Sequence, residues 1–208
     1  MKTLIIDIQY FSSVIAYNKL SKFSHCVFEQ YEWFQKMSFR NRCTLSGANG
    51  IIHLSIPLEN GRDQKKLIRD VKIDYRENWQ DRHWKTITSC YNRSPWFEFY
   101  RDELFALFQK RVDFLVDWNM GCFEWVAEKL GLAVSWSLSD AYRATYDEAY
   151  FEDWRGLLKP SSINKLFPSP PRYPQVFEER LGFIPNLSIL DRLFCAGNKG
   201  LGDAGETV

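Results

Sequence analysis

A surplus of either charge is missing from this sequence: 27 Lys and Arg stand against 26 Asp and Glu in 208 residues, a net charge of +1. That balance excludes a broad phosphate-binding surface, so nucleic acid is not expected as the main ligand. Histidine is scarce at 3, and the 5 cysteines form no CxxC pair. Neither residue type shows metal-ligand spacing, which excludes a zinc ribbon or thioredoxin-like motif and leaves no metal site to expect. Scattered thiols suit a reducing cytosol. No apolar run approaches the length of a membrane span. The opening MKTLIIDIQYF is interrupted by Asp7 and Gln9, so it does not read as a signal peptide. A cytoplasmic location is the expectation. GxxxxGK[ST], GxGxxG and GxSxG are all absent, which removes P-loop, dinucleotide-fingerprint and serine-hydrolase readings at the level of motifs.

Aromatics, by contrast, are plentiful: 8 Trp, 10 Tyr and 16 Phe make 16% of the chain. Residues 3–8, TLIIDI, are short, β-branched and apolar and read as a strand. Ser12 and Ser13 offer N-caps to a helix from Val14 to Phe23, and His25–Tyr31 reads as a second strand. Strand, helix, strand in so short a stretch predicts a βαβ unit with its first strand buried centrally. Asn49-Gly50 predicts a hairpin between strands at 43–45 and 51–58. Ile68–Asp74 alternates like a further strand.

The middle reads as helical. Asn78 caps a helix with Trp79, His83, Ile87 and Cys90 on one face, and three-four spacing continues from Leu104 through Val112 to Trp118. A further helix ends at Gly131, and 133–138 reads as a strand, while 140–167 carries no clear pattern. Asn186 is expected to cap a last helix over 187–194. The predicted class is α/β: a Rossmann-like mixed sheet flanked by helices, with a largely helical middle segment. One domain is expected over 1–197, with a flexible glycine-rich tail at 198–208.

Several constellations carry chemistry. Arg40, Asn41 and Arg42 place two guanidiniums around an amide, suited to gripping carboxylate or phosphate; a surface strand facing acidic neighbours is the plain alternative. His83 is a candidate general base or a packed helix histidine. Asp113 and Asp117, at i and i+4, read as a solvated acidic face, with magnesium binding as the alternative. Asp191 is an acid in an otherwise apolar helix, expected either in an ion pair with arginine or at a pocket rim.

Three blocks together resemble the WbqC-like family: YEWFQKMSFRNRCTLSGANGIIHLSIP at 31–57, the stretch 68–119 that includes IRDVKID, NWQDRHWKTITSCYNRSPWFEFY and FLVDWN, and YPQVFEERLGFIPNLSILDRLFCAG at 173–197. The chain departs from the family pattern in three places. Tyr10-Phe11-Ser12-Ser13 replaces an early Y-x-P-P-like turn, Arg192 and Cys195 alter the terminal helix, and 132–170 is shorter. The resemblance implies a place in the biosynthesis of bacterial cell-surface polysaccharide such as the O-antigen of lipopolysaccharide. It also implies modification of an amino sugar by a glycyl or acyl group, and a nucleotidylyl-transferase-type fold with a polar turn over a helix N-terminus.

The resulting expectation is a cytoplasmic transferase that acylates or aminoacylates an amino group on a sugar nucleotide or another phosphorylated small molecule. His83 or Asp117 would be the base; Gln9, Tyr10, Gln35, Arg40, Asn41, Arg42, Tyr91, Asn92 and Asp191 would bind substrate. The Arg40–Arg42 stretch and the helix bearing His83 and Tyr91 are expected to share one pocket. The cofactor stays unknown, and the donor stays open among ATP-derived, tRNA-borne and thioester forms. The alternative is a non-catalytic sugar-nucleotide-binding or scaffold module in envelope polysaccharide assembly.

Overall fold

β1 (Thr3–Asp7) is buried from Leu4 onward because it lies between two other strands, and its aliphatic run meets protein on both faces. A computed structural model describes residues 2–61, 65–198 and 201. β1 pairs in parallel with β2 (His25–Glu29) on one side, Ile5 opposite Val27, and the helix between them is α1 (Val14–Leu20). The expected βαβ unit is therefore present. A hairpin of β3 (Arg42–Gly47) and β4 (Gly50–Ser55) follows, with Gly50 at φ 120°, a conformation that favours glycine.

Helices α2 (Trp79–Tyr91), α3 (Phe97–Phe108) and α4 (Leu115–Leu130) fill the middle. Asn78 caps α2 by accepting from the Asp81 N–H at 3.3 Å, and Gly131 ends α4 in the left-handed conformation at φ 62°. The chain then returns to the sheet as β5 (Ser135–Leu138), which pairs with β2, and β6 (Phe151–Asp153), which pairs with β1. The order β5-β2-β1-β6 is parallel throughout, and the antiparallel hairpin stands apart as a two-stranded ribbon. Two short helices, α5 (Ile163–Leu166) and α6 (Glu178–Leu181), lead to α7 (Ile189–Ala196). This is the expected Rossmann-like α/β architecture with a helical middle. Most of the predicted tail lies outside the described residues.

Three local expectations give way. Ile68–Asp70 is a 3-10 turn rather than the start of a strand. Its alternating Ile68, Val71 and Ile73 are buried, but the backbone beyond makes only isolated bridges, Ile73 to Leu58 and Lys72 to Phe114. Those bridges also split the long helical pattern. Leu115 N–H donates to the Val71 carbonyl and Ile73 N–H to the Asp113 carbonyl, so residues 109–114 are drawn out of helix. Asp113 and Asp117 therefore do not share a helix. Lastly, Ser188 caps α7 in place of Asn186, which sits at φ 57° and turns its amide to Asn164 and the Phe167 carbonyl.

The turn after β1 is clamped by this C-terminal block. Val14 N–H donates to the Leu187 carbonyl, Ile189 N–H to the Ser12 carbonyl and the Ser188 hydroxyl to the Phe11 carbonyl. Tyr10, Phe11 and Ser13 are all buried as a result.

Candidate functional site at the carboxyl edge of the sheet

In open parallel sheets, ligands bind beyond the carboxyl ends of the strands, where strand order reverses. Here three neighbouring strands end in acids: β1 in Asp7, β2 in Glu29 and β6 in Asp153. Two buried arginines organise them. Arg40 donates from Nη2 to Asp7 at 2.7 Å and to Glu32, and from Nη1 to the Trp33 carbonyl at 2.8 Å. Arg155 pairs with Asp153 at 2.6 Å and Glu29 at 3.3 Å. Asp7 also accepts the Gly156 N–H at 2.8 Å, tying β1 to the segment after β6. Four carboxylates against two guanidiniums leave this edge acidic. Burial and the Asp7 charge push the Glu32 carboxyl above the usual carboxylate range, with Arg40 opposing them.

Outside this network lies a cavity of about 470 Å³, lined by Tyr31, Glu32, Trp33, Gln35, Leu67 and Tyr142. Its volume suits a small-molecule ligand. One wall is held by main-chain pairing: Ile68 N–H donates to the Glu32 carbonyl, Phe34 N–H to the Lys66 carbonyl, and Trp33 bridges Leu67. Trp33 is 64% exposed and Tyr142 54% exposed, open rings of the kind that stack on sugars or bases. The Arg69 guanidinium stacks on Tyr31 at 4.7 Å. The other wall is set by Arg155, which lies under Tyr142 and Tyr146 at 5.4 and 4.9 Å and donates to the Arg143 carbonyl at 2.9 Å. Arg155 thus anchors the strap that carries Tyr142.

The residues singled out from sequence divide into four groups. Gln35 lines this cavity and Arg40 underlies it. Asn41 and Arg42 line a different cavity, beside the hairpin, and Asn92 lines a third, with Asn49 and Phe177. Asp117 is exposed on the first turn of α4.

The remaining five are in the core. Gln9 donates to the Leu158 carbonyl and accepts from Ser12, so it is spent on holding the turn. The Tyr10 hydroxyl meets His83 Nδ1 at 3.0 Å, and the other ring nitrogen serves the Ser55 carbonyl. His83 is 3% exposed, and burial pushes it down to about 4, so it is neutral at pH 7. Tyr91 accepts the Ser46 N–H at 3.1 Å and donates to Asp191. Asp191 is fully buried, away from any rim, and its partner is this tyrosine rather than an arginine. Arg42 pairs in register with Ser55, so the Arg40–Arg42 stretch and His83 do approach through Ser55. The cavity beside Asn41 and Arg42 is lined by Ser55 but not by His83 or Tyr91, in place of the shared pocket expected.

Glu32, Trp33, Tyr142 and Arg155 drew no role from sequence. The signal for the first two was present in the aromatic–acid–aromatic triplet Tyr31-Glu32-Trp33 directly after an apolar strand. Among the described residues no three His, Cys, Asp or Glu side chains converge as a metal site. No helix among them is long and apolar enough to cross a membrane.

The family model of the WbqC-like protein family matches residues 9–154, well over half of the chain, and the protein belongs to that family. The match takes in Glu29, Glu32, Arg40 and Asp153 of the acidic edge, the lining of the aromatic cavity and Tyr142, while Asp7 and Arg155 lie just outside it. No curated protein and no solved structure matches the chain.

Proposed function

We propose that the protein is a cytoplasmic transferase that acylates or aminoacylates, in one form glycylates, the amino group of a nucleotide-linked sugar used in cell-surface polysaccharide such as O-antigen. The observation that carries this reading is Glu32 at the floor of a cavity walled by Trp33 and Tyr142. Aromatic faces suit a sugar ring, and a surplus of carboxylates attracts an amine. The neutral amine attacks the activated acyl carbon, the new C–N bond forms, and the bond to the donor's leaving group breaks. The proton shed by nitrogen passes to Glu32, whose raised pKa brings it closer to the operating pH of a base. Gln35 lies within the same cavity and orients the acceptor; Arg69, stacked on Tyr31, offers a cation to a phosphate.

The test is to incubate the protein with an amino-sugar nucleotide and, in turn, ATP with glycine, glycyl-tRNA and an acyl thioester. Mass spectrometry then follows amide formation. Product is expected with one donor, reduced roughly a hundredfold or more in Glu32→Gln, in line with general-base loss. A fully active Glu32→Gln protein contradicts the assignment. A second reading, a sugar-nucleotide-binding module without turnover, draws on the clamped turn after β1, where the Val14 N–H is already taken by Leu187. Binding without product under all three donors favours it.

A further inference from the structure

Successive residues after β2 serve two different cavities: Trp33 and Gln35 line the one at the sheet edge, whereas Phe34 and Lys36 line another of about 290 Å³ on the hairpin side. The second cavity has an apolar floor of Phe34, Ile56 and Leu58 and a cationic rim that includes Arg42. Its wall is rigid at this point. Asn41 donates its amide to the Ile56 carbonyl at 3.0 Å, and Ile56 N–H donates back to the Asn41 carbonyl at 2.8 Å.

Three features mark it as more than a packing defect. First, the Arg42 guanidinium forms no hydrogen bond or ion pair among the described residues. Most other arginines near the sheet and hairpin are engaged: Arg40 and Arg155 pair with carboxylates and Arg180 with Asn49. Secondly, the Arg42 charge lies close enough to help burial push the nearby His53 imidazole down. Thirdly, Met37, which lines the cavity, is held at φ 58° and is 62% exposed. A long side chain in left-handed backbone is strained, and such strain collects at ligand sites.

We propose that this cavity binds a small monocarboxylate with an apolar body, its carboxylate on the Arg42 guanidinium and its body against Phe34, Ile56 and Leu58. A guanidinium fork matches one carboxylate. A phosphate dianion would meet a largely apolar wall, with the Asn41 amide already committed. The volume admits a compact chain or ring and excludes a nucleotide. This site is separate from the sheet-edge cavity and does not depend on the transferase reading.

The test uses the whole protein labelled at methionine methyl groups. Met37 reports on the cavity and Met120, on α4, reports on the fold. Hexanoate is titrated alongside acetate, 1-hexanol and inorganic phosphate. Hexanoate is expected to shift the Met37 signal saturably, with the three others weaker by roughly tenfold or more, since each lacks either the charged hydrogen bond or the apolar body. Arg42→Gln is expected to weaken hexanoate by a similar factor while the Met120 signal is unmoved. A silent Met37 overturns the proposal, as does 1-hexanol or phosphate binding as tightly as hexanoate. So does an Arg42→Gln protein, with Met120 in place, that binds hexanoate unchanged. The sheet-edge reading is tested on Trp33, so failure of one leaves the other standing.

Discussion

Tyr91 donates a 2.6 Å hydrogen bond to Asp191, joining α2 to α7 across one hundred residues of sequence. Ser46 N–H closes the chain of contacts onto β3, and Tyr173 faces the same carboxyl group. Burial drives Asp191 up to about 6. A carboxyl whose folded pKa lies above its unfolded value near 4 favours folding most when protonated. Its contribution is therefore intact below about pH 4 and is lost as pH rises to about 6. Asp191→Asn keeps an acceptor for Tyr91 and carries no charge. Its stability relative to wild type is expected to rise by about 2–3 kcal/mol between pH 4 and 7 in urea unfolding. A difference independent of pH contradicts the assignment.

His83 predicts the opposite slope. Its folded pKa near 4 lies below the unfolded value near 6.5, so its contribution is present above pH 6.5 and lost as pH falls towards 4. His83→Phe is expected to cost about 1–3 kcal/mol at pH 7, because the Tyr10 hydroxyl and Ser55 carbonyl lose their partner. The variant's penalty should shrink on acidification, since the wild type then has to charge a buried ring. A penalty that grows between pH 6.5 and 4.5 runs against this reading.

Arg40 ties the sheet edge to the floor of the cavity. Arg40→Met leaves Asp7 and Glu32 without their shared cation, and breaking a buried pair of this kind costs about 3–5 kcal/mol. Thermal unfolding checks it, and a loss below about 1 kcal/mol shows that the network relaxes without its arginine.

Much of the fold was legible because local chemistry agreed with tertiary position. Leu4–Ile8 could only be a covered strand, Asn78 and Gly131 mark helix ends by their side-chain chemistry, and the Trp79, His83, Ile87 series announces a buried face. β6 was not legible: Phe151-Glu152-Asp153 has no apolar run, and it is a strand only because β1 offers it an edge. The break at 109–114 was hidden for a similar reason. Val112 keeps helical spacing, and only the Lys72–Phe114 bridge pulls the chain straight.

The site was less visible than the fold. His83 and Asp191 read as chemistry in apolar surroundings, yet each is satisfied by a tyrosine far away in sequence, and no spacing rule connects such pairs. Tyr31, Glu32 and Trp33 are contiguous, but Tyr142 joins them only because Arg155 pins its strap. Arg40 and Arg42 look alike in sequence, yet one is buried among carboxylates and the other faces a separate cavity.

The claim that the cavity of Glu32, Trp33 and Tyr142 receives an amino sugar is tested most directly on the Trp33 indole. The protein has 8 tryptophans, and Trp33→Phe assigns the relevant N–H signal. Glucosamine and N-acetylglucosamine are titrated at pH 7. Glucosamine is expected to shift the Trp33 signal saturably, and N-acetylglucosamine to bind roughly tenfold or more weakly, because only the free amine is drawn to Glu32. Glu32→Gln is expected to abolish the difference between the two sugars. An unmoved Trp33 signal, or equal binding of both sugars to the wild-type protein, contradicts the claim.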